Sequence, residues 1–308
     1  MAQNAPLSAV PLTPAEAAAA CPSPAAQERP FPAWHYAMLN DEARNGAIAA
    51  AIGDLDLAGK TVVEIGAGSG VIAIQFARQG ARQVIACEMN RAMAKVALQI
   101  IHNEGLAERI TLLPMSSTLA IDQGLIPHAP DVIFTETVDC GVIGEGFFAI
   151  ARDIRRIRGE HTIVLPGQIR QHGLLISSPA IHGQNHVDEV FGIDMGPLNA
   201  WATKGYFPTR AAHFGFDVLS RPQMVRSYDY SRHIPPRRVP MRITQDGLAH
   251  GLLSWFELQL GNHVVTNAPG AESHWHQAFH PLPRPVPVRQ GESLDVLLDD
   301  AGIVEIHA

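Results

Sequence analysis

Over the first half of the chain, short apolar runs that end in glycine or an acid alternate with stretches of helical period. Thr61-Val-Val-Glu64-Ile65 runs into Gly66-Ala-Gly68-Ser-Gly70 and then Val71-Ile-Ala-Ile74, while Gln83-Val-Ile-Ala-Cys87 ends in Glu88. Met89 to about Asn103 reads as a helix with apolar Met93, Val96, Leu98, Ile100 and Ile101, most of which are expected to face a sheet, and Ile110-Thr-Leu-Leu113 as the next strand. Phe147-Phe148-Ala-Ile150-Ala-Arg-Asp-Ile154-Arg-Arg-Ile157 is again helical. This alternation predicts a parallel, doubly wound α/β sheet over residues 31–165. The texture changes at Leu165-Pro166. Beyond it, prolines multiply and two-residue alternation takes over: Phe256, Leu258 and Leu260, then Leu294, Val296 and Leu298 before an Asp299-Asp300-Ala301-Gly302 turn and Ile303-Val-Glu-Ile306. Residues 166–308 are therefore read as mainly β, with no internal repeat.

The glycine turn carries the first chemistry. Glycines at alternate positions after a strand let the backbone pass close to a ligand and open a helix, as in nucleotide sites. The third glycine arrives one residue too early for the dinucleotide fingerprint, and Glu64 precedes Gly66 by two residues. Acid-x-Gly-x-Gly-x-Gly suits S-adenosylmethionine, whose ammonium needs an acceptor and which has no pyrophosphate. A tight strand–helix connection without a ligand is the other reading. Glu88, placed like the ribose acid of doubly wound nucleotide binders, is expected to accept from ribose hydroxyls. Met115, Ser116 and Ser117 lie where an adenine pocket has its edge, or are plain loop.

A second pattern sits in Thr135-Glu136-Thr-Val-Asp139-Cys140-Gly141-Val-Ile-Gly144-Glu145-Gly146. Two carboxylates on a chain that Gly141, Gly144 and Gly146 allow to fold back suit a guanidinium, whose planar fork of five N–H donors stays charged at physiological pH. Two unrelated surface acids would look the same in isolation.

Composition narrows the partners. With 23 basic against 30 acidic residues and a formal charge of −7, the chain disfavours nucleic acid and favours cations. Its 308 residues, 46% hydrophobic, suffice for a large core and two domains. Cys21, Cys87 and Cys140 have no paired or metal-type spacing, which points to free thiols in a reducing, cytoplasmic setting. No run of about 18 apolar residues marks a membrane span. Residues 1–30, rich in Ala and Pro without a basic start, read as a disordered tail rather than a targeting segment. His274, His276 and His280 allow a metal reading, but no acid or cysteine joins them at ligand spacing, and Pro281, Pro283, Pro285 and Pro287 suggest an edge or loop; no metal is expected.

Taken together, residues 31–292 resemble the protein arginine methyltransferases, nearest their type III branch. Four motifs carry the likeness: Trp34-His35-Tyr36-Ala-Met38-Leu39-Asn40-Asp41-Glu-Ala-Arg44 on one helix, the glycine turn with Glu88, the Val-Ile-Gly-Glu-Gly end of the glutamate loop, and Ser273-His274-Trp275-His276-Gln277 in place of a Thr-His-Trp loop. The resemblance implies a Rossmann-like class I methyltransferase domain followed by a β-barrel-like domain, with S-adenosyl-L-methionine as methyl donor and S-adenosyl-L-homocysteine as product. It implies that Arg44 holds the cofactor carboxylate, that Met38 lines the transfer site, that Tyr36 or His35 shapes the pocket, and that Glu136 and Glu145 grip the guanidinium. It also implies that His274 bonds Asp41, walls the pocket with Trp275, and shares with the glutamates the task of removing the proton.

The chain departs from the pattern at Ser273, at a dimerisation arm that looks short over residues 191–214, and in the short stretch after Glu292. A homodimer and a peptide groove are therefore less firmly implied, and free L-arginine or a small arginine-like metabolite is favoured slightly over arginyl residues of proteins. Arg170, Arg237, Arg238 or Asp139 would then hold the α-groups. Methyl transfer to another nitrogen or oxygen acceptor, and a cofactor-binding scaffold without turnover, are the remaining alternatives.

Overall fold

The first sheet comprises β1 (Thr61–Ile65), β2 (Gln83–Cys87), β3 (Ile110–Leu113), β4 (Val132–Thr135) and β5 (Ile163–Leu165), all parallel and ordered β3-β2-β1-β4-β5. The computed structural model describes residues 30–307, so the tail reading of residues 1–30 lies, apart from Pro30, outside the described residues. All five residues of β1 and all four of β4 are buried, which is why these strands are continuous apolar runs and not alternating ones. Helices α1 (Trp34–Leu39), α2 (Glu42–Gly53), α3 (Val71–Arg78), α4 (Arg91–Asn103), α5 (Ser117–Asp122) and α6 (Phe147–Ile157) accompany the sheet. Phe76 of α3 meets Phe134 of β4 edge-on, ring centroids 5.7 Å apart, in a core with Ile52, Leu57, Ile101 and Ile133.

Strand order fixes where ligands can bind. The sheet reverses direction between β1 and β4, and the carboxyl ends of strands at such a switch point frame a crevice. Ile65 is in register with Cys87 on one side and Thr135 on the other. The glycine turn therefore leaves β1 with Glu88 on one flank and Glu136 on the other.

The second half is antiparallel. A short helix α7 (Pro179–His182) and strands β6 (Gln168–Ser177), β7 (Glu189–Val190), β8 (Ile193–Asp194), β9 (Phe207–Thr209), β10 (Asp217–Val218), β11 (Gln223–Tyr228), β12 (Arg238–Arg242), β13 (Gly247–Leu260), β14 (His263–Thr266), β15 (Gln277–Val288), β16 (Ser293–Leu298) and β17 (Val304–His307) make it up. Seven strands form one sheet on the path β10-β6-β13-β15-β9, with β11 on β6 and β14 on β13; β12-β16-β17 form another, and β7-β8 a small hairpin. Leu175, Val225, Met241, Leu252, Val296 and Leu298 fill the core of this half. The expected hairpin at Asp299-Asp300-Ala301-Gly302 joins β16 to β17, a further one at residues 261–262 joins β13 to β14, and β14 packs on α2, where His263 Nε2 lies 2.9 Å from Asp54 Oδ2.

Several expectations change or sharpen. The helix read through residues 34–45 breaks at Asn40-Asp41, because the Asp41 carboxylate accepts from Arg44 N at 2.9 Å and caps α2. In α4, Val96 and Leu98 are exposed and Met93, Ala94, Ala97 and Ile101 carry the buried face; alanine lets the helix sit close to the sheet where bulkier residues point out. The segment with four prolines is not a loop but most of β15. Prolines spaced by two withdraw N–H donors along one edge of a strand, and β9 pairs only with residues 277–279 before they begin. For the same reason the barrel stays open. β17 runs near β15 without a ladder, and two sheets packed on a shared core replace the closed barrel. Two strands follow Glu292, so the last sheet is not cut short there.

Phe76 is completely buried, so Phe76→Ala is expected to cost about 3–5 kcal/mol, read from urea unfolding midpoints at unchanged slope. A loss below ~1 kcal/mol would contradict the packing described.

Candidate active site

One cavity of about 930 Å³ lies over the carboxyl ends of β1, β2 and β4. Its wall includes Glu64, Gly66, Gly68, Glu88, Met115, Ser116, Ser117, Glu136, Glu145, Met38, Arg44, His274 and Trp275, so most of the site residues read from the sequence converge. Gly70 instead caps α3 in the left-handed conformation, φ +80°, directly behind the turn. Tyr36 is exposed and lies outside the lining; His35, stacked on Trp34 at 4.0 Å, takes the pocket position. Asp41 stands behind His274 and does not line the cavity.

The cofactor end is built from the turn outward. Gly66 has φ +79°, and a Cβ there would lie 2.3 Å from Thr137 Cγ2, so the turn is pressed against the glutamate loop. Glu88 accepts from Gly68 N at 2.8 Å and Asn90 N at 2.7 Å, which orients a carboxylate with lone pairs left for a diol. Burial raises the Glu64 carboxyl to about 8, and Glu64 Oε2 has no hydrogen-bond partner; neither has Ser69 Oγ beside it. A buried acceptor without a donor fits the ammonium of S-adenosylmethionine. Ser117 and Thr118 donate to Asp153 Oδ2 at 2.7 and 2.6 Å. Sequence reasoning missed Asp153; its signal was a lone acid one turn from Ile150 and Ile157 on the buried face of α6.

The carboxylate end differs from expectation in one respect. Arg44 Nε donates to Glu136 Oε2 at 2.8 Å, and Nη2 also reaches that oxygen, so residues assigned to two different ligands form one buried ion pair. Arg44 Nη1 donates to Asn45 Oδ1 at 2.8 Å, which leaves two of the five N–H groups for a carboxylate. Glu136 keeps Oε1. Burial raises its pKa despite Arg44. Burial, then the charges of Glu136, Asp139 and Glu88, lift Glu145 to about 7.

Residues of the antiparallel half close the cavity. His274 Nδ1 lies 2.8 Å from Asp41 Oδ2, which also accepts from His274 N at 2.9 Å. Burial would raise the Asp41 carboxyl, but N–H donors from Arg44 and His274 outweigh it and hold it below the usual range, so His274 Nδ1 is the donor of this pair. Burial also keeps the imidazole neutral, lowering its pKa against the pull of Asp41, and Nε2 is then the ring's acceptor. Trp275 Nε1 donates to Val138 O at 2.8 Å, pinning the glutamate loop. His276 lines the cavity, whereas His280 is spent elsewhere, between Ser254 Oγ at 2.8 Å and Gly302 O at 2.7 Å. Arg170, Arg237 and Arg238 are absent from the lining, and Arg170 instead lies 3.4 Å from Glu257 across the second sheet. Asp139 lines the cavity, but accepts from Gly141 N and Gly144 N. Cys87 and Cys140 are buried free thiols, both raised by burial, and neither is a nucleophile at neutral pH; Cys21 lies outside the described residues. No helix among the described residues is long and apolar enough to cross a membrane.

Known proteins share these features. A family model described as ribosomal protein L11 methyltransferase (PrmA) matches residues 48–138, the strands and helices around the glycine turn. The chain is 38% identical over 277 residues to an arginine N(omega)-methyltransferase of Streptomyces achromogenes subsp. streptozoticus, covering 88% of this chain and 76% of that protein. It is 29% identical over 286 residues to protein arginine N-methyltransferase 9 of Xenopus laevis, covering 81% of this chain but only 35% of that longer relative. Among solved structures, the Trypanosoma brucei PRMT1 enzyme-prozyme heterotetrameric complex with AdoHcy superposes with a TM-score of 0.72 at 19% identity, over 89% of this chain and 91% of that one, which is a likeness of fold.

Gly66→Ala should weaken binding of S-adenosylhomocysteine at least tenfold by calorimetry, because the added methyl group displaces Thr137; unchanged affinity would contradict the close approach. The second expectation concerns pH. Because Glu64 titrates at about 8 in the folded state against an ordinary 4.5, its neutral form stabilises the fold below about 4.5, and that contribution is lost as pH rises through about 8. Between pH 6 and 9 the melting temperature of Glu64→Gln should therefore gain on that of wild type, and parallel curves would refute the assignment.

Proposed function

Since the chain belongs to the arginine N-methyltransferases, enzymes that take their methyl group from S-adenosylmethionine, we propose that Glu136 and Glu145 hold the guanidinium of free L-arginine or a small arginine-like metabolite for transfer to an ω-nitrogen. The observation that carries this reading is that Glu136 and Glu145 line the same cavity, Glu145 with no cation of the described residues on it and its carboxyl lifted to about 7 by partial desolvation and neighbouring acids although its side chain is exposed, a state which a planar cation would relieve. The Streptomyces relative, at 38% identity, is named for arginine itself, which favours the free amino acid; relatives named as protein or histone-arginine methyltransferases, at 24–29% identity, support arginyl residues of proteins as the second reading.

When bound, the cofactor supplies an electrophilic methyl group on a sulfonium. Glu64 accepts its ammonium, the spare Arg44 donors meet its carboxylate, Glu88 takes the ribose hydroxyls, and Met115 with Ser116 and Ser117 borders the base. Glu136 Oε1 and Glu145 hold two guanidinium nitrogens, draw positive charge to one side and leave the target nitrogen in line for displacement. The Arg44 charge opposes the rise in pKa that burial gives Glu136 and so favours its carboxylate form in this role. Neutral His274, its tautomer set by Asp41, receives the proton at Nε2 as the nitrogen becomes methylated. Met38 and Trp275 exclude water around the transfer path.

The arm reads as the contact surface of a homodimer. Phe191 and Trp201, at 98% and 88% exposure, join Ile193 and Leu198 there in an apolar group that a second copy would cover.

Glu145→Gln should lower kcat/KM for arginine by about a hundredfold or more while leaving cofactor affinity within twofold, since a charge-assisted bond to the reacting group is lost. Undiminished turnover would instead favour another acceptor. In wild type, kcat/KM should rise with pH through about 7 and level off above it, because protonated Glu145 no longer attracts the cation. Assays with free L-arginine and an Arg-Gly peptide side by side decide the substrate: turnover of the peptide alone would overturn the free-arginine reading.

A further inference from the structure

The turn between Glu136 and Glu145 owes its shape to a residue of the other half of the molecule. Tyr206, on the segment that leads from the arm into β9, donates from its hydroxyl to Asp139 Oδ2 at 2.8 Å. The other oxygen of Asp139 accepts from Gly141 N at 3.2 Å and Gly144 N at 3.0 Å, so one carboxylate ties three donors together. The ring is as closely fitted as the hydroxyl. A Cβ at Gly141 would lie 2.3 Å from Tyr206 Cε2, and one at Gly144 2.8 Å from its hydroxyl oxygen. On the opposite side, a Cβ at Gly302 in the β16–β17 turn would lie 2.5 Å from Tyr206 Cδ1. His280, whose ring centroid is 5.4 Å from that of Tyr206, is itself fixed by Ser254 and by the Gly302 carbonyl. The glycines of the loop thus serve to admit this ring as well as to turn the chain.

We propose that Tyr206 is a positioning residue for methyl transfer: its hydroxyl on Asp139 and its ring between the glutamate loop and the β16–β17 turn set the distance and angle between Glu136 and Glu145. The proposal rests on the reading of those two glutamates as the guanidinium cradle. Glu136 is held at its own end by Arg44, while Glu145 follows directly on Gly144, whose N–H is held by Asp139, so the turn between them is what places the second carboxylate. Tyr206 touches neither cofactor nor substrate in this scheme and acts through Asp139.

Tyr206→Phe keeps the ring and removes the bond. It is expected to raise KM for arginine and lower kcat/KM by roughly tenfold or more, the scale of a lost hydrogen bond to a charged group, with the dissociation constant of S-adenosylhomocysteine and the melting temperature close to wild type. Asp139→Ala should give at least that loss, and adding Tyr206→Phe to it little more, because the bond is already gone. Hydrogen exchange at the Gly141 and Gly144 amides should quicken in Tyr206→Phe. A kcat/KM within twofold of wild type, additive losses, or equal loss of cofactor affinity would each overturn the proposal. The exchange measurement keeps it separate from the substrate reading: a wild type inactive on both arginine and peptide defeats that reading, whereas unchanged exchange in Tyr206→Phe defeats the brace itself.

Discussion

Glu64, Glu88, Glu136 and Glu145 line one cavity, the first three withdrawn from water and Glu145 exposed to it, and the crowding of their charges is the constraint to which the rest of the structure answers. Keeping Glu64 ionised there without a ligand costs on the order of 5 kcal/mol, the equivalent of moving a carboxyl from 4.5 to about 8. The protein meets part of the charge itself, with Arg44 on Glu136 and backbone N–H groups on Glu88. What remains unmatched is selective. On the proposed reading an ammonium relieves Glu64 and a planar cation relieves Glu145, so that binding energy goes to positively charged groups that bring their own donors.

This arrangement depends on contacts that cross between the two halves. The parallel sheet supplies the acids at a switch point, but the loop that carries Glu145 leaves β4 without a partner strand to hold it. Val138 O is held by Trp275, Asp139 by Tyr206, and Asp41 secures the loop that carries Trp275. The antiparallel half therefore acts as a clamp on the catalytic loop as well as a wall. An open pair of sheets serves this purpose as well as a closed barrel would, because the site is met by Tyr206, Pro208 of β9, the 274–276 loop before β15 and the β16–β17 turn and not by the full circumference.

Much of the site could be read residue by residue because each signal was local. Gly66 and Gly68 adopt positive φ where the alternating glycines demanded a turn, and Glu88 follows β2 in register with it. The Asp41–His274 pair, 233 positions apart, was legible only through resemblance, since nothing near either residue names its partner. Helical period says which residues of α4 share a stripe, while the packing of neighbouring elements decides which of them are covered, and Val96 and Leu98 point outward. Asp153 and Tyr206 escaped notice because a single polar residue in an apolar helix, or a tyrosine in a linker, has no pattern of its own.

Sequence alone determined the elements and the chemistry of the ends of the strands: which segments pair as buried parallel strands, where the chain must turn on glycine, and that two acids flank a reversible loop. These are set by backbone sterics and by residue types over a few positions. Tertiary structure decided the pairings, placing Arg44 on Glu136 across 92 positions and Tyr206 on Asp139 across 67, and leaving the second sheet system open. Several acids and several cations compete for each such contact, and only strand order, register and the space left by glycines settle which donor reaches which carboxylate.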